Sequence, residues 1–354
     1  MAIMHPNFRA AAIQAAPVFL DLDGTVDKAI SLIEEAARHG ASLIAFPETF
    51  IPGYPWHIWL DSPAWGMQFV QRYFDNSLAY GSPAAERLAK AAKDNKMMVV
   101  MGHSERDGGS LYMGQWIIGA DGETIAFRRK LKPTHVERTV YGEGDGRDLS
   151  VFDTPLGRVG ALCCWEHLQP LSKYAMYAQN EQVHIASWPS FSIYRGAAHA
   201  LGPEVNTAAS QIYAVEGGCF VIAPTATVSK EMVEILCTDE TKKVLLREGG
   251  GFARIYAPDG QLLHEPLPEN TEGIVYADID LGMIALAKTA ADPAGHYSRP
   301  DVTRLVLDKT PGDRVIAGRR AQKEVERQGE DAPVVSASRA EVLAQKRAQH
   351  DEAA

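Results

Sequence analysis

The sequence predicts a layered α/β protein. Short apolar runs of strand length alternate with amphipathic helical patterns along most of the chain. The order is mixed, because one pair of runs is joined by a tight turn typical of a β-hairpin while helices separate several others. The 354 residues are 46% hydrophobic and 23% charged, which is the balance of a globular protein. Wholesale disorder, collagen-like repeats and low-complexity scaffolds are excluded, and a simple doubly wound sheet is disfavoured.

The first part of the chain contains clear helix and turn patterns. Ser82 and Pro83 predict a helix start, because serine caps free backbone N–H groups and proline suits the first helical position. Ala120, Asp121 and Gly122 predict the turn of the hairpin. Strands are predicted at residues 8–16, 42–46, 97–101, 111–118 and 123–127, and helices at residues 26–38 and 82–95.

The second part repeats this alternation until the composition changes. Strands are predicted at residues 158–163, 183–187, 219–223, 251–256 and 273–280, and helices at residues 171–179 and 204–216. No aromatic residue follows Tyr297, and residues 314–354 are rich in Ala, Arg, Glu and Gln. We therefore predict one domain over residues 1–310 and a C-terminal tail over residues 311–354. The tail is either disordered or an arm that orders on a neighbouring subunit.

Charge and cysteine content narrow the class of protein. The net charge is −10, and the last fifty residues mix charges of both signs, so a nucleic-acid partner is not expected. The four cysteines match neither a metal-finger spacing nor a disulfide framework, which indicates free thiols in a reducing compartment. The N-terminus lacks a signal-peptide pattern, and no apolar run approaches the roughly 20 residues that span a bilayer. We expect a soluble cytoplasmic protein without a membrane partner.

The stretch from residue 159 to residue 167 is the most informative for chemistry. An apolar strand ends abruptly in Cys163, Cys164, Trp165, Glu166 and His167. Strand ends beside a turn are where α/β proteins place reactive groups, because the backbone there can direct a side chain into a cleft. Strand alternation predicts one cysteine in the core and the other in the cleft. Taken alone, either cysteine is equally consistent with a small buried apolar residue.

Two further stretches place charged side chains after predicted strands. Glu48 follows the apolar run at residues 44–46, and Lys130 lies in a basic stretch that continues through His135 to Glu137. Each has an ordinary alternative, an exposed loop glutamate or helix cap in the first case and a basic surface loop in the second. No G-x-S-x-G elbow, P-loop or H-E-x-x-H motif is present. The eleven histidines do not cluster at ligand spacing, so we expect no metal site.

Together the three stretches resemble the nitrilase superfamily, whose catalytic triad is Glu, Lys and Cys. The FPE, RRKLKP and LCCWEH motifs occur in the order found in that family, which assigns the triad to Glu48, Lys130 and Cys164. Cys164 is chosen over Cys163 because the family's nucleophile immediately precedes the Trp-Glu pair. Glu137 lies where relatives carry a second, structural glutamate. The resemblance covers roughly residues 8–305, and residues 133–138, 141–146, 186–189 and 295–301 resemble the nitrile-hydrolysing branch.

The resemblance implies an enzyme that converts an organic nitrile to a carboxylic acid and ammonia. Cys164 would form a covalent thioimidate and then an acyl-thioester, with Glu48 as the base and Lys130 stabilising negative charge, and without a metal or organic cofactor. Arylacetonitriles or bulky aliphatic nitriles are the expected substrates. The alternatives are an amide, a carbamoyl compound or cyanide as the substrate of the same triad. A non-catalytic oligomeric scaffold is the alternative outside enzymology.

The resemblance also implies an architecture and a set of contacts. The expected fold is a four-layer α-β-β-α sandwich that pairs into an eight-layer homodimer, which the nitrile branch often extends into spirals. Residues 168–179 are the candidate dimer face, with apolar contacts from Tyr174, Met176 and Tyr177. The side chains expected to contact the substrate are Trp165, Trp188, Tyr54 and His135, with Trp59 beside Tyr54 in a Pro-, Gly- and Trp-rich loop and His167 as a supporting hydrogen bonder.

Overall fold

The computed structural model describes residues 5–312 and Val315. The chain divides into two units, Met1–Thr310 and Pro311–Ala354. The predicted tail therefore lies outside the described residues except at Pro311, Gly312 and Val315. Its expected role as an oligomerisation arm stays a prediction.

The elements of the first unit alternate in kind, as the sequence pattern predicts. The strands are β1 Asn7–Ala15, β2 Ala41–Ala45, β3 Met98–Asp107, β4 Ser110–Ile118, β5 Thr124–Arg129, β6 Tyr141–Gly142, β7 Phe152–Thr154, β8 Gly157–Cys163, β9 Val183–Ser187, β10 Phe220–Ala223, β11 Thr225–Ala226, β12 Arg254–Tyr256 and β13 Gly273–Asp280. The helices are α1 Leu22–Arg38, α2 His57–Leu60, α3 Pro63–Asp75, α4 Pro83–Asp94, α5 Pro170–Tyr177, α6 Pro203–Gly217, α7 Lys230–Leu236, α8 Glu240–Leu245 and α9 Met283–Ala290.

The strands form two mixed sheets. The first has the order β11-β1-β2-β3-β4-β5, with β13 also paired to β1 and β6 to β4. Within it β1, β2 and β3 are parallel, whereas β3, β4 and β5 form an antiparallel meander. The second sheet has the order β12-β10-β9-β8-β7, and its three central strands are parallel. The carboxyl ends of parallel neighbours meet at one edge of each sheet, which is where α/β proteins place their sites.

Three apolar clusters define four layers. Side chains of both sheets share one core, exemplified by Ala10 and Val100 of the first sheet and Ile185 and Ile222 of the second. A second cluster joins the outer face of the first sheet to α1 and α4, and a third joins the outer face of the second sheet to α5 and α6. The strands are buried on both faces, which explains why they are nearly continuous apolar runs in the sequence. The predicted four-layer α-β-β-α sandwich is confirmed.

Local chemistry explains where the elements begin and where the prediction differs. Ser82 accepts a hydrogen bond from the Ala85 N–H and caps α4, as predicted. Helix α1 begins four residues before the predicted start, because Asp21 accepts from the Gly24 N–H and supplies an earlier cap. Strand β3 continues to Asp107, six residues beyond the predicted end, because it pairs with β4 along its whole length.

A buried polar network links the two sheets near the ends of their central strands. Gln115 Nε2 donates to Ser187 Oγ at 2.9 Å and to the Leu162 carbonyl at 3.3 Å. Ser187 Oγ in turn donates to the Phe46 carbonyl at 3.0 Å, and Arg128 donates to Gln115 Oε1 at 2.8 Å. Phe46, Arg128, Leu162 and Ser187 lie one or two positions before Glu48, Lys130, Cys164 and Trp188, respectively, and Gln115 on β4 connects them. Because a satisfied polar network in an apolar core admits one geometry, it fixes these strand ends relative to one another.

The proposed dimer contacts on residues 168–179 need correction. Met176 and Tyr177 are buried, and they pack against the second sheet of their own chain. They are therefore not available to a partner. The apolar side chain that α5 does expose is Leu171, with Leu168 just before the helix. Among the described residues, no helix has both the length and the apolarity needed to cross a membrane.

Candidate active site

Glu48, Lys130 and Glu137 meet in a fully buried ion cluster. Glu48 follows β2, Lys130 follows β5, and Glu137 lies in a 3₁₀ turn, His135–Thr139. Lys130 Nζ donates to Glu48 Oε1 at 2.9 Å and to Glu137 Oε2 at 2.8 Å. None of the three side chains exceeds 1% exposure. Two carboxylates around one ammonium group compensate the cost of burying the charges.

The electrostatics of the cluster separate the roles of its acid and its amine. Burial lowers the pKa of Lys130, but the carboxylates of Glu137 and Glu48 outweigh it and hold that pKa well above its usual range. Burial raises the pKa of Glu48 to about 8, although Lys130 opposes the shift. Lys130 is thus a fixed cation, whereas Glu48 exchanges a proton near neutral pH. Glu48 Oε2 is buried and has no hydrogen-bond partner among the described residues.

Glu137 is held by groups from three segments. Its Oε1 accepts from the Tyr54 hydroxyl at 2.7 Å, and its Oε2 accepts from the Thr134 N–H at 2.5 Å as well as from Lys130. The Tyr54 oxygen accepts in turn from Trp59 Nε1 at 3.1 Å. Both oxygens of Glu137 therefore accept hydrogen bonds, whereas one oxygen of Glu48 accepts none from the described residues. This difference makes Glu137 an anchor for the ammonium group and leaves Glu48 as the candidate base.

Cys164 lies at the first position after β8, where the backbone turns sharply. Its φ is +46°, a left-handed value that is costly for a residue with a Cβ. Thr49, directly after Glu48, has a φ of +46°, and His135 a φ of +49°. Strained backbone of this kind persists where the surrounding structure over-determines it, which is common at active sites. Cys164 lies in the LCCWEH motif, Thr49 directly follows the FPE motif, and His135 lies in the basic stretch that contains Lys130.

The side chains of the two adjacent cysteines lie in different surroundings, as predicted, but the cause differs from the predicted one. Cys163 is fully buried, whereas Cys164 lines a pocket and is 9% exposed. Strand alternation does not produce this difference, because β8 ends at Cys163 and the left-handed turn at Cys164 redirects the next side chain. The prediction that one thiol lies in the core and the other in the cleft is confirmed.

Glu166 ties the cysteine turn to the lysine strand. Its Oε2 accepts from the Cys163 N–H at 2.7 Å, and its Oε1 accepts from the Leu131 N–H at 2.8 Å and from Arg128 Nη2 at 2.6 Å. Burial acts to raise the pKa of Glu166, but the Arg128 guanidinium and these hydrogen bonds lower it below its usual range. One permanently charged carboxylate therefore sets the distance between the segments that carry Cys164 and Lys130.

The Cys164 sulfur is a thiol in the resting protein. Burial raises its pKa, the nearby Glu48 carboxylate raises it further, and Lys130 together with a hydrogen bond from the Trp165 N–H opposes the shift only in part. The resulting pKa lies well above the usual range. A thiol is a poor nucleophile, so the sulfur must lose its proton to a base as it attacks. Glu48 is the carboxylate with a free oxygen in this cluster.

The pocket in front of Cys164 is lined largely by aromatic side chains. The space between the lining residues, open solvent at the mouth included, is about 400 Å³. Cys164, Glu137 and Thr134 are among the lining residues. The remaining lining residues are Tyr54, Trp56, Trp59, Trp165, Trp188, Pro189, Ser190, Phe191, Ile193, Leu201 and Asn206. An apolar pocket with few polar groups suits a small, uncharged and partly aromatic molecule.

Two of these aromatic side chains, Trp165 and Trp188, donate hydrogen bonds to side chains of α6, which hold them in place. Trp165 Nε1 donates to Asn206 Oδ1 at 2.9 Å, and Trp188 Nε1 donates to Ser210 Oγ at 2.8 Å. Asn206 and Ser210 are one helical turn apart on the buried side of α6. Each of these two indole rings is therefore held in one orientation by a side chain of α6.

The residues expected at the pocket are brought together, with one exception. Tyr54, Trp165 and Trp188 line it, whereas His135 is exposed and contacts it only through Trp59, whose ring it stacks on at 5.4 Å. The sequence analysis did not single out Asn206, Trp56 or Phe191. Asn206 and Ser210 repeat at i and i+4 as polar residues on the otherwise buried face of a predicted helix, a pattern that could have marked them.

Within residues 5–312 and Val315, no three His, Cys, Asp or Glu side chains converge in a way that could hold a metal ion. The site residues instead combine a thiol, a carboxylate of raised pKa and a buried ammonium group. This set suits nucleophilic attack by the thiol on an electrophilic carbon, with charge stabilisation by the amine.

Comparison with known proteins matches this chain to one family over most of its length. The family model described as carbon-nitrogen hydrolase matches residues 9–289. A protein named nitrilase from Pseudomonas syringae pv. syringae is 62% identical, covering 88% of this chain and 93% of its own. An aliphatic nitrilase from Rhodococcus rhodochrous is 58% identical over 84% and 82% of the two chains. An arylacetone-specific nitrilase from Alcaligenes faecalis is 55% identical over 85% and 84%.

Solved structures share the fold at much lower identity. A carbon-nitrogen hydrolase from Helicobacter pylori has a TM-score of 0.67 at 16% identity, covering 85% of this chain and all of its own. Nit3 from Saccharomyces cerevisiae, described as a member of branch 10 of the nitrilase superfamily, has a TM-score of 0.63 at 17% identity and covers 84% of this chain and 98% of its own. These likenesses support the sandwich architecture.

Proposed function

This chain belongs to the carbon-nitrogen hydrolase family, and on that premise we propose that Cys164, Glu48 and Lys130 are the catalytic groups of a nitrilase. The reaction is the hydrolysis of a nitrile to a carboxylic acid and ammonia. The relatives named as nitrilases, 55–62% identical, support this activity. The observation that carries the assignment of roles is the buried ion cluster, in which Lys130 is shared and Glu48 alone keeps an unpaired oxygen.

The first step adds the thiol of Cys164 across the carbon–nitrogen triple bond. Glu48 Oε2 takes the sulfur proton as the sulfur attacks the nitrile carbon, and the same proton then passes to the nitrogen. Lys130 and the Trp165 N–H stabilise negative charge as it develops. The product is a thioimidate covalently bound to Cys164. The raised pKa of Glu48, about 8, suits a group that accepts and returns a proton in one turnover.

Two waters complete the reaction. Glu48 removes a proton from the first water, which adds to the thioimidate carbon. The nitrogen, now protonated, leaves as ammonia, and an acyl-thioester remains on Cys164. A second water, activated in the same way, releases the carboxylic acid and restores the thiol. Glu137 takes no proton in this sequence, because its oxygens are held by Lys130, Tyr54 and the Thr134 N–H.

The aromatic pocket favours nitriles with an aryl group one carbon from the cyano group, or bulky aliphatic nitriles. Cys164 lines the pocket together with aromatic side chains, so a nitrile whose cyano carbon reaches the sulfur has its remaining part against the rings. The rings of Trp165 and Trp188, each held by a hydrogen bond, offer apolar contact area to an aryl group. The pocket contains no charged group besides Glu137, which Lys130 neutralises, so uncharged substrates are favoured.

The assembly of the protein follows from its exposed apolar side chains. Helices α5 and α6 contact each other, and near their outer surface Leu168, Leu171, Ile212 and Val215 are all more than a third exposed. A second copy of this chain would cover them and give an eight-layer dimer, the building block of any longer spiral. We expect the enzyme to work without a metal or organic cofactor. A cytoplasmic location accords with four free, buried cysteines.

An ammonia-release screen tests the function. Purified protein is incubated with aliphatic, aromatic and arylacetonitriles, and with the amide that corresponds to each nitrile. We expect ammonia from nitriles, most of it from arylacetonitriles, and little from the amides. Cys164→Ala should release none, and Cys163→Ala, the matched control at the neighbouring thiol, should keep activity if it folds. Faster release from amides than from nitriles would instead identify an amidase.

A further inference from the structure

A chain of buried side chains leads away from the nucleophile on the side opposite the pocket. His167 Nδ1 lies 2.6 Å from the Cys164 carbonyl oxygen, and His167 Nε2 lies 2.9 Å from His184 Nε2. His184 Nδ1 lies 2.8 Å from Glu181 Oε1, and the Tyr213 hydroxyl donates to Glu181 Oε2 at 2.7 Å. None of these four side chains contributes to the pocket lining, and the mechanism above uses none of them. We call His167, His184 and Glu181 the buried relay.

The geometry fixes how many hydrogens the buried relay holds. A carbonyl oxygen only accepts, so His167 Nδ1 carries a hydrogen. The two facing Nε2 atoms share one hydrogen, because two lone pairs or two hydrogens would repel at 2.9 Å. The same condition applies between His184 Nδ1 and Glu181 Oε1. One hydrogen in each gap is the number carried by two neutral imidazoles and one neutral carboxylic acid, so the relay has no net charge wherever the protons lie.

The relay acts on the peptide group between Cys164 and Trp165. This peptide is trans, so its carbonyl and its N–H point in opposite directions. The carbonyl points to His167, so the N–H of Trp165 points away from the relay. Holding the carbonyl therefore also holds the direction of this N–H next to the nucleophile. A donor on the carbonyl also polarises the peptide, which strengthens the N–H as a donor to developing negative charge.

The position of the relay is built into the fold. Glu181 and His184 are at most 1% exposed, and His184 stacks on Tyr213 at 3.7 Å. Gly160 of β8 makes room for the carboxyl group, because a Cβ at this position would lie 2.0 Å from Glu181 Oε1. His167 is clamped by Trp188, whose ring stacks on it at 5.1 Å. The carboxyl group and the two imidazoles are thus buried away from water in a space that the surrounding residues leave for them. Their desolvation costs free energy.

We propose that His167, His184 and Glu181 are positioning residues for nitrile hydrolysis, that their neutral hydrogen-bond relay orients the Cys164–Trp165 peptide, and that removing one proton from the relay inactivates the enzyme at alkaline pH. This inference rests on the proposed function of Cys164. Once a proton is lost, one of the three gaps has facing lone pairs. The chain then relaxes by withdrawing the donor from the Cys164 carbonyl, and the direction of the Trp165 N–H is no longer fixed.

The directions of the pKa shifts of the relay residues agree with a loss of activity as pH rises. Burial raises the pKa of Glu181 to about 8 and lowers the pKa of both histidines well below their usual range, which places the labile proton on Glu181. The charged and titratable groups that act on the relay from neighbouring elements are Arg128, Glu166, Tyr177, Tyr213 and Cys219. Glu48 must be ionised to act as a base, so its titration increases activity with pH and cannot produce the alkaline loss.

Glu181→Gln tests the relay directly. Its amide N–H₂ can donate permanently to His184 Nδ1, and its amide oxygen can still accept from Tyr213. We expect kcat near pH 7 to stay within about threefold of the wild type, and the alkaline limb of the kcat profile to move up by about one pH unit or more. The exposed Glu123→Gln is the matched control and should leave the limb in place. An unmoved limb, or loss of kcat at every pH in a folded Glu181→Gln protein, would overturn the proposal.

Two further variants keep the test decisive if Glu181→Gln does not fold. Tyr213→Phe keeps the stacked ring but removes the donor that favours the Glu181 anion. The alkaline limb of the kcat profile should therefore again move to higher pH, and an unmoved or lowered limb contradicts the relay.

His167→Ala should lower kcat by about 10-fold or more with KM changed less than about threefold, because only the peptide orientation is lost. Wild type and Cys164→Ala run alongside. If the wild type releases no ammonia, the proposed function fails, whereas a failed limb shift with active wild type rejects the relay alone.

Discussion

At the scale of single residues, the site depends on unequal hydrogen bonding of two similar carboxylates. Both oxygens of Glu137 accept hydrogen bonds, from Lys130, Tyr54 and the Thr134 N–H, while one oxygen of Glu48 has no partner among the described residues. Both acids lie beside one ammonium group. The partners of each, rather than its distance from Lys130, decide which acid anchors and which accepts a proton.

Tyr54→Phe tests the anchoring of Glu137. The change removes the hydroxyl that donates to Glu137 Oε1 and leaves a buried charged oxygen unpaired, which costs about 1–3 kcal/mol. Because Lys130 shifts with its anchor, we expect kcat to fall by about 10-fold or more, with a lower midpoint of thermal unfolding. The matched control is Tyr276→Phe, whose buried hydroxyl has no partner among the described residues. Equal effects of the two substitutions on kcat would refute the anchoring role.

At the scale of elements, the helices and strands that position the site are those with strong local patterns. The Ser82–Pro83 start, the hairpin and the apolar strands before Glu48 and Cys164 were all predicted from residue types and their spacing. Helix α3 was missed, although Ser62 and Pro63 repeat the cap pattern of Ser82 and Pro83. The surrounding sequence is rich in Pro, Gly and Trp and therefore indicated a loop. The burial of Phe69 and Tyr73 against other segments stabilises the helix instead.

The parts of the site that sequence could not supply are tertiary. The pairing of Tyr54 with Glu137, of Trp165 with Asn206 and of Glu181 with His184 depends on which elements become neighbours. The assignment of Glu48, Lys130 and Cys164 came from resemblance to a family, and the structure brings the segments that carry them together. Strand alternation predicted that one of the two cysteines faces the cleft, and the family resemblance selected Cys164. The left-handed turn at Cys164 explains why this thiol lines the pocket.

Helix α6 makes a prediction about specificity. Asn206→Ala removes the side-chain oxygen that accepts the hydrogen bond of Trp165 Nε1. The indole ring can then adopt other orientations and contacts an aryl substrate less well. We expect the ratio of kcat/KM for an arylacetonitrile to that for a small aliphatic nitrile to fall by about 3- to 10-fold, which is a cost of about 1 kcal/mol. Thr207→Ala, on the same helix but bonded only to the backbone of its own first turn, should preserve the ratio. A ratio that stays constant in Asn206→Ala would show that the wall is not set by α6.

At the scale of the whole molecule, two buried polar systems cross the sandwich. The Gln115 network joins the sheets in front of the catalytic strand ends, and the buried relay joins the cysteine turn to β9 and α6. In both places, apolar side chains would avoid the free-energy cost of burying polar groups. Their retention is explained by orientation, since a satisfied network fixes a geometry that non-directional apolar contacts do not.

The outer helical layer predicts the oligomeric state. Leu171 on α5 and Ile212 on α6 are 69% and 47% exposed, and a second copy would bury them. The double variant Leu171→Glu/Ile212→Glu introduces four like charges into a two-fold interface, so the mass measured by light scattering should fall to that of smaller species. Met67→Glu, at a 65% exposed apolar position on α3, is the matched control and should keep the wild-type mass. An unchanged mass for the double variant would place the contact elsewhere.

The identity of the nucleophile is tested most directly by mass spectrometry of the acid-quenched reaction with an arylacetonitrile. We predict a covalent adduct of one substrate-derived group per chain, located by peptide mapping on Cys164 and on none of Cys163, Cys219 and Cys237. Cys164→Ala should show neither the adduct nor ammonia release. An adduct on another cysteine, or undiminished ammonia release from Cys164→Ala, would contradict the arrangement of Glu48, Lys130 and Cys164 as the catalytic site.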